Sequence, residues 1–222
     1  MVETMFRKRM RRLSARLPIV LLAVLSAVGC ASAQPAPPAA TATPATTVAS
    51  AEPAGTAEES DTPVAEGVLA PPERAGNAFT YNPALAPEGA EISVYTDTDG
   101  GTTAVRLEVT GLLPGRGYAA HAHVNACGPT GDAAGPHFQN QLDPAAAPGR
   151  PSTDPAFANP QNEIWLDLRT DGEGDGESTA EMPFVFADRA PASVVIHEAE
   201  VTATTPGQAG SAGARLACLT IE

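Results

Sequence analysis

From residue 77 onward the sequence repeats one pattern: short runs with an apolar residue at every second position, cut apart by Gly, Pro, Asn and Asp. In "TAVRLEVT" (103–110), Val105, Leu107 and Val109 share a face while Arg106 and Glu108 take the other; in "EIWLDLRT" (163–170), Ile164, Leu166 and Leu168 do the same. A period of two is the geometry of a strand with one face in a core, and no useful length repeats at the helical 3.6. The other runs are "NAFTYN" (77–82), "AEISVY" (90–95), "GYAAHAHV" (117–124), "ESTAEMPFVF" (177–186), "ASVVIHE" (192–198) and "RLACLTI" (215–221). Turn formers in "TDTDGG", "LPGRG" and "TDGEGDG" separate them. Eight short strands predict an all-β domain over 77–222, an eight-stranded Greek-key barrel or sandwich. The stretch 125–162 interrupts the pattern as one long loop rich in Pro, Gly and Asn, and loops of that length are functional or disordered.

The first third does not read as globular. Residues 6–16, "FRKRMRRLSAR", are basic and 17–29, "LPIVLLAVLSAVG", are apolar, which is the order of a secretory signal and too short for a membrane span of about 20 residues. The run ends in "SAVGC", which resembles a bacterial lipobox, with Ala27 where Leu is usual. That resemblance implies a signal over 1–29 and lipidation of Cys30, anchoring the protein to a membrane outside the cytoplasm; a plain cleaved signal is the alternative. Residues 30–76 are Ala-, Pro- and Thr-rich, with no aromatic between Phe6 and Phe79. So little apolar bulk cannot offset ordering entropy, and the segment reads as a disordered tether.

Without residues 1–29 the chain has seven arginines, no lysine and 25 acidic residues, a net charge of −18. Such a chain repels nucleic acid, and any anionic substrate needs a local positive group to guide it. With Cys30 set aside, Cys127 and Cys218 form an even pair, which in an exported protein reads as a disulfide and otherwise as two buried thiols.

The chain has four histidines, and all lie in the β region. Strand alternation puts His121 and His123 of "AAHAHV" on one face, opposite Ala120, Ala122 and Val124; His137 opens the long loop, and His197 closes "SVVIH". Imidazole-only coordination suits copper, zinc, iron or nickel, and four such ligands in a flattened arrangement fit Cu(II). Trp165 and Phe184 read as core or partly buried aromatics, and the acidic turns "DTDG" and "DGEGDGE" as solvated turns, because neither has the spacing of a calcium loop.

"HAHVNACG…GDAAGPHF", "SVVIHE" and "GSAGARLAC" resemble, in order, three signature blocks of the copper/zinc superoxide dismutase family. The resemblance runs from about 77 to 222 and implies the family's eight-stranded Greek-key barrel. It implies that His121, His123, His137 and His197 are copper ligands, with His137 the residue that bridges copper and zinc in the family. It implies that Arg215 draws the superoxide anion to the copper, that His137 takes part in turnover, and that Cys127 and Cys218 are joined. The sequence departs from the family at the zinc site: residues 138–196 contain no histidine. Asp167 is the nearest match to the zinc aspartate and otherwise reads as a solvated strand residue; with His137 alone it makes a poor zinc site, since structural zinc takes four ligands. The segment 198–214 contains no Asp, Lys or Arg, so the family's charged loop is reduced to Glu198 and Glu200. The expectation is a copper-only enzyme that disproportionates superoxide to O2 and H2O2. The alternative is a non-catalytic copper-binding or copper-delivery module on the same fold.

Overall fold

Alternating burial organises two antiparallel sheets whose inner faces share one core. The computed structural model describes residues 62–221 apart from 148, so the expected signal, Cys30 and most of the tether lie outside the described residues. In chain order the strands are β1 (Ala65–Val68), β2 (Ala78–Thr80), β3 (Glu91–Asp99), β4 (Thr102–Thr110), β5 (Gly117–Tyr118), β6 (Ala120–His123), β7 (Leu168–Arg169), β8 (Gly176–Met182), β9 (Ser193–His197) and β10 (Arg215–Thr220). One sheet runs β1-β3-β4-β8, the second β2-β10-β9-β6, and β5 pairs with β7 as a two-stranded ribbon. The only helical element among the described residues is a 3-10 turn at Gly131–Ala134.

The period-two faces pack as their spacing requires. Ile92, Val94, Val105, Leu107 and Val109 from the first sheet meet Val194, Ile196, Leu216 and Leu219 from the second. Each such side chain contributes about 1.5–3 kcal/mol by leaving water. On the outer face of β4, Arg106 pairs with Glu108 and covers the Tyr95 ring at 3.8 Å. Cys127 and Cys218 are joined across 91 residues, tying the loop after β6 to the middle of β10.

Among the expected boundaries that shift, three bear on the core or the site. Residues 65–68, assigned to the tether, form an edge strand on β3 with Ala65 opposite Val94, and Leu69 just beyond is 1% exposed. Four residues with one large apolar side chain at their end carry too weak a pattern to stand out beside an Ala/Pro tether. The run 117–124 divides into β5 and β6 at Ala119, whose N–H goes to Ala199 O instead of a ladder partner. In the run 163–170 only Leu168–Arg169 forms a ladder, while Trp165 makes a single bridge to His121.

Candidate metal centre

β6 places the first two imidazoles. Ala120 and Ala122 enter the core, and His121 and His123 face the opposite way, both fully buried. One edge of β6 pairs with β9; along the other, Ala122 N–H donates to Ile164 O, Leu166 N–H to Ala120 O and Phe138 N–H to Ala122 O. These bonds set His137 opposite His123 and bring residues 163–167 alongside His121. His197 arrives as the last residue of β9. Arg215 opposes it on β10, where the register shifts between Arg215 and Ala217, a bulge that re-aims the arginine.

The four histidines converge, with ligand nitrogens all within 4.8 Å of one another. Each ring has one nitrogen bonded to an outside group. His123 Nδ1 donates to Gly135 O at 3.0 Å, His137 Nδ1 to the Glu163 carboxylate at 2.9 Å, and His197 Nδ1 faces Gly213 O at 3.5 Å. Thr202 gives its hydroxyl proton to Asp167 Oδ1 at 2.7 Å, so its oxygen accepts from His121 Nε2 at 2.7 Å. The lone pairs left over are His121 Nδ1 and the Nε2 atoms of His123, His137 and His197. His121 Nδ1 is buried with no hydrogen-bond partner, and His123 Nε2 lies 3.3 Å from His197 Nε2, two acceptors facing each other. An orphaned buried nitrogen and opposed lone pairs are the signature of a cation site. The donor set therefore fits a borderline-soft ion such as copper.

Burial, reinforced by neighbouring imidazoles with His137 foremost, holds His121 and His123 well below the usual histidine range. His197 is pushed down to about 3 by burial first and His137 second. All three are neutral at pH 7, the form in which imidazole ligates a metal.

Arg215 is half-buried beside the cluster, donating to Gly131 O at 2.7 Å and Gly135 O at 2.6 Å. The Gly135 carbonyl thus holds both Arg215 and His123. Gly135 has φ +72°, which strains any other residue, and a Cβ there would lie 2.7 Å from Asn125 Nδ2 and displace that side chain. Arg215 and His137 face a cleft of about 890 Å³ walled by Val124, Leu142, Pro151 and Ala209. The long loop 125–162 supplies much of that wall and carries His137 at its base.

Asp167 lies outside the four-histidine group, and its carboxylate is bonded within the protein instead of left to solvent. Its Oδ1 accepts from Ala120 N–H and the Thr202 hydroxyl, and its Oδ2 from Thr202 N–H at 2.7 Å. It braces the cluster through the Thr202 hydroxyl and through the backbone of Ala120, next to His121. Trp165 is half-buried, within the expectation of a core or partly buried aromatic, and donates its indole N–H to Glu163 at 2.8 Å. Glu163 and Thr202 carried no signal in the sequence, since each meets its histidine only through the folded chain.

No protein-family model matches the chain, and no curated protein matches it. Solved structures are similar to it at low identity. A Cu/Zn superoxide dismutase from Brucella abortus is 20% identical with a TM-score of 0.42, over 66% of this chain and 97% of that one. A double mutant of a SOD-like protein from Bacillus subtilis is 18% identical with a TM-score of 0.42, over 60% of this chain and 88% of that one. A single mutant of a SOD-like protein from Bacillus subtilis is 17% identical with a TM-score of 0.39, over the same 60% and 88%.

Proposed function

We propose that this protein is a copper-dependent superoxide dismutase working outside the cytoplasm, held to a membrane through Cys30. The observation that carries the reading is the convergence of four imidazoles whose outward nitrogens are occupied and whose inward ones are not. His121 Nδ1 and the Nε2 atoms of His123, His137 and His197 would hold the ion. Copper, when bound, would supply one-electron exchange, by which one superoxide is oxidised to O2 and a second, with one electron and two protons, is reduced to H2O2. Arg215 provides the positive group that an anion needs in a chain this acidic, and its two carbonyl acceptors keep the guanidinium at the cleft. His137, the least buried of the four, faces that cleft and can hold a proton at Nε2 while Nδ1 stays bonded to Glu163. The Cys127–Cys218 bond supports an oxidising compartment.

A copper-delivery module needs no guanidinium at the mouth of the site, which favours the enzyme. The test loads the full chain with copper or with zinc and assays superoxide disproportionation. Copper-loaded protein is expected to be active and zinc-loaded protein inactive, and Arg215→Ala is expected to lower the rate constant with copper content unchanged. Copper bound at the histidines with no activity would convert the reading to a copper-binding module.

A further inference from the structure

Glu163 holds more donors than its bond to His137 requires. Its Oε2 accepts from His137 Nδ1 at 2.9 Å and from the Trp165 indole N–H at 2.8 Å, and its Oε1 accepts from Gln139 Nε2 at 2.8 Å. Glu163 is 2% exposed, and the donors that replace its lost hydration are these three N–H groups. The bonds are shared between the two oxygens, so the carboxylate cannot rotate without breaking one.

His137 is the ligand that needs such a brace. His121, His123 and His197 lie on β6 and β9, where ladder bonds fix the backbone, and each is at most 3% exposed. His137 sits in the long loop with a single bridge to His123, and 17% of its side chain is exposed. The direction of its Nε2 lone pair depends on where Nδ1 is held, and hence on the rotation of the Glu163 carboxylate. Both bracing residues are themselves fixed: Trp165 by its backbone bridge to His121, with the two rings 5.7 Å apart, and Gln139 by its bridge to Glu163 and by the Asp143 N–H on its Oε1 at 3.1 Å.

We propose that Trp165 and Gln139 are positioning residues for this centre: they lock the Glu163 carboxylate so that His137 keeps its proton on Nδ1 and turns Nε2 toward the other three imidazoles. The inference rests on the metal-centre reading above for its purpose, though the lock itself exists without metal. Trp165→Phe keeps the aromatic ring and removes only the N–H; Gln139→Leu removes the other donor.

The test uses the full chain with 15N-labelled histidine, first free of metal and then with Cu(II). In the metal-free wild type the His137 ring is expected as a single Nδ1–H tautomer with a slowly exchanging proton. Trp165→Phe and Gln139→Leu are each expected to admit the Nε2–H tautomer and to speed exchange, with Glu163→Gln giving the full effect. With copper, each variant is expected to bind on the order of tenfold more weakly and to show an altered nitrogen hyperfine pattern in its Cu(II) spectrum. If either variant fails to fold, the other carries the test. His137 signals unchanged from wild type in a folded variant overturn the proposal. A wild type that takes up no copper overturns the proposed function, while the metal-free spectra still decide the positioning role.

Discussion

Thr202 separates ligand identity from ligand orientation. It carries no lone pair into the cluster, yet its oxygen accepts the hydrogen bond from His121 Nε2–H and so leaves the Nδ1 lone pair free. Thr202→Val keeps the shape and removes the acceptor. Copper affinity is expected to fall about 10- to 100-fold, the range for lost outer hydrogen bonds to metal-bound histidine; competition against a chelator of known affinity measures it, and an unchanged value would mean that packing alone orients His121. The same burial that prepares the imidazoles makes the metal-free protein sensitive to acid. His197 titrates at about 3 in the folded state against 6.5 for the free side chain, so between those values the unfolded chain binds more protons. Stability is therefore full above pH 6.5 and falls as pH drops through that window, with His121 and His123 acting in the same direction. A thermal midpoint of metal-free protein that stays flat from pH 7 to pH 4 would contradict this. The four histidines were legible in the sequence because each sits in a marked strand or motif. Glu163 and Thr202 were not, because they lie 26 and 81 residues from the histidines they hold and only the tertiary fold joins them.

Among the elements, the strands whose alternation is long and whose two faces differ in polarity were readable, as β4 shows with Thr103, Val105, Leu107 and Val109 buried in turn. Two kinds of element were not. The run 163–170 has a strand's alternation, but its polar positions are taken up by the site: Glu163, Trp165 and Asp167 bond to side chains or backbone around the cluster instead of facing water. β1 is hidden for the opposite reason, being four residues of which only Ala65 and Gly67 turn inward. Its register is fixed by Leu69, whose N–H bonds to Ala90 O and whose side chain joins the core. Leu69→Ala is expected to destabilise the protein by about 2–5 kcal/mol. Val68→Ala next to it, 57% exposed, is expected to change little. Equilibrium unfolding in urea distinguishes the two, and equal small effects would place residues 65–70 outside the cooperative fold.

At the scale of the molecule, two opposing fields act on an anion that approaches the cleft. The chain carries a net charge of −13, or −18 without residues 1–29, with no lysine beyond residue 8. Against this stands the Arg215 guanidinium at the cleft, a few ångströms from His123 through the shared Gly135 carbonyl. Salt screens distant charges before near ones, with a Debye length of about 10 Å at 0.1 M and about 30 Å at 0.01 M. At low ionic strength the acidic surface as a whole repels superoxide, and raising the salt removes this repulsion while leaving Arg215 effective at short range. The rate constant for superoxide is therefore expected to rise as ionic strength goes from about 0.01 to 0.15 M, and to fall again toward 1 M as the Debye length shrinks to about 3 Å. Arg215→Ala is expected to keep the rise, lower the rate throughout and lose the fall. Pulse radiolysis over that salt series measures all three. A rate that declines from the lowest salt onward would mean that the guanidinium's field outweighs the net charge even at long range, and that the acidic surface plays no part in substrate capture.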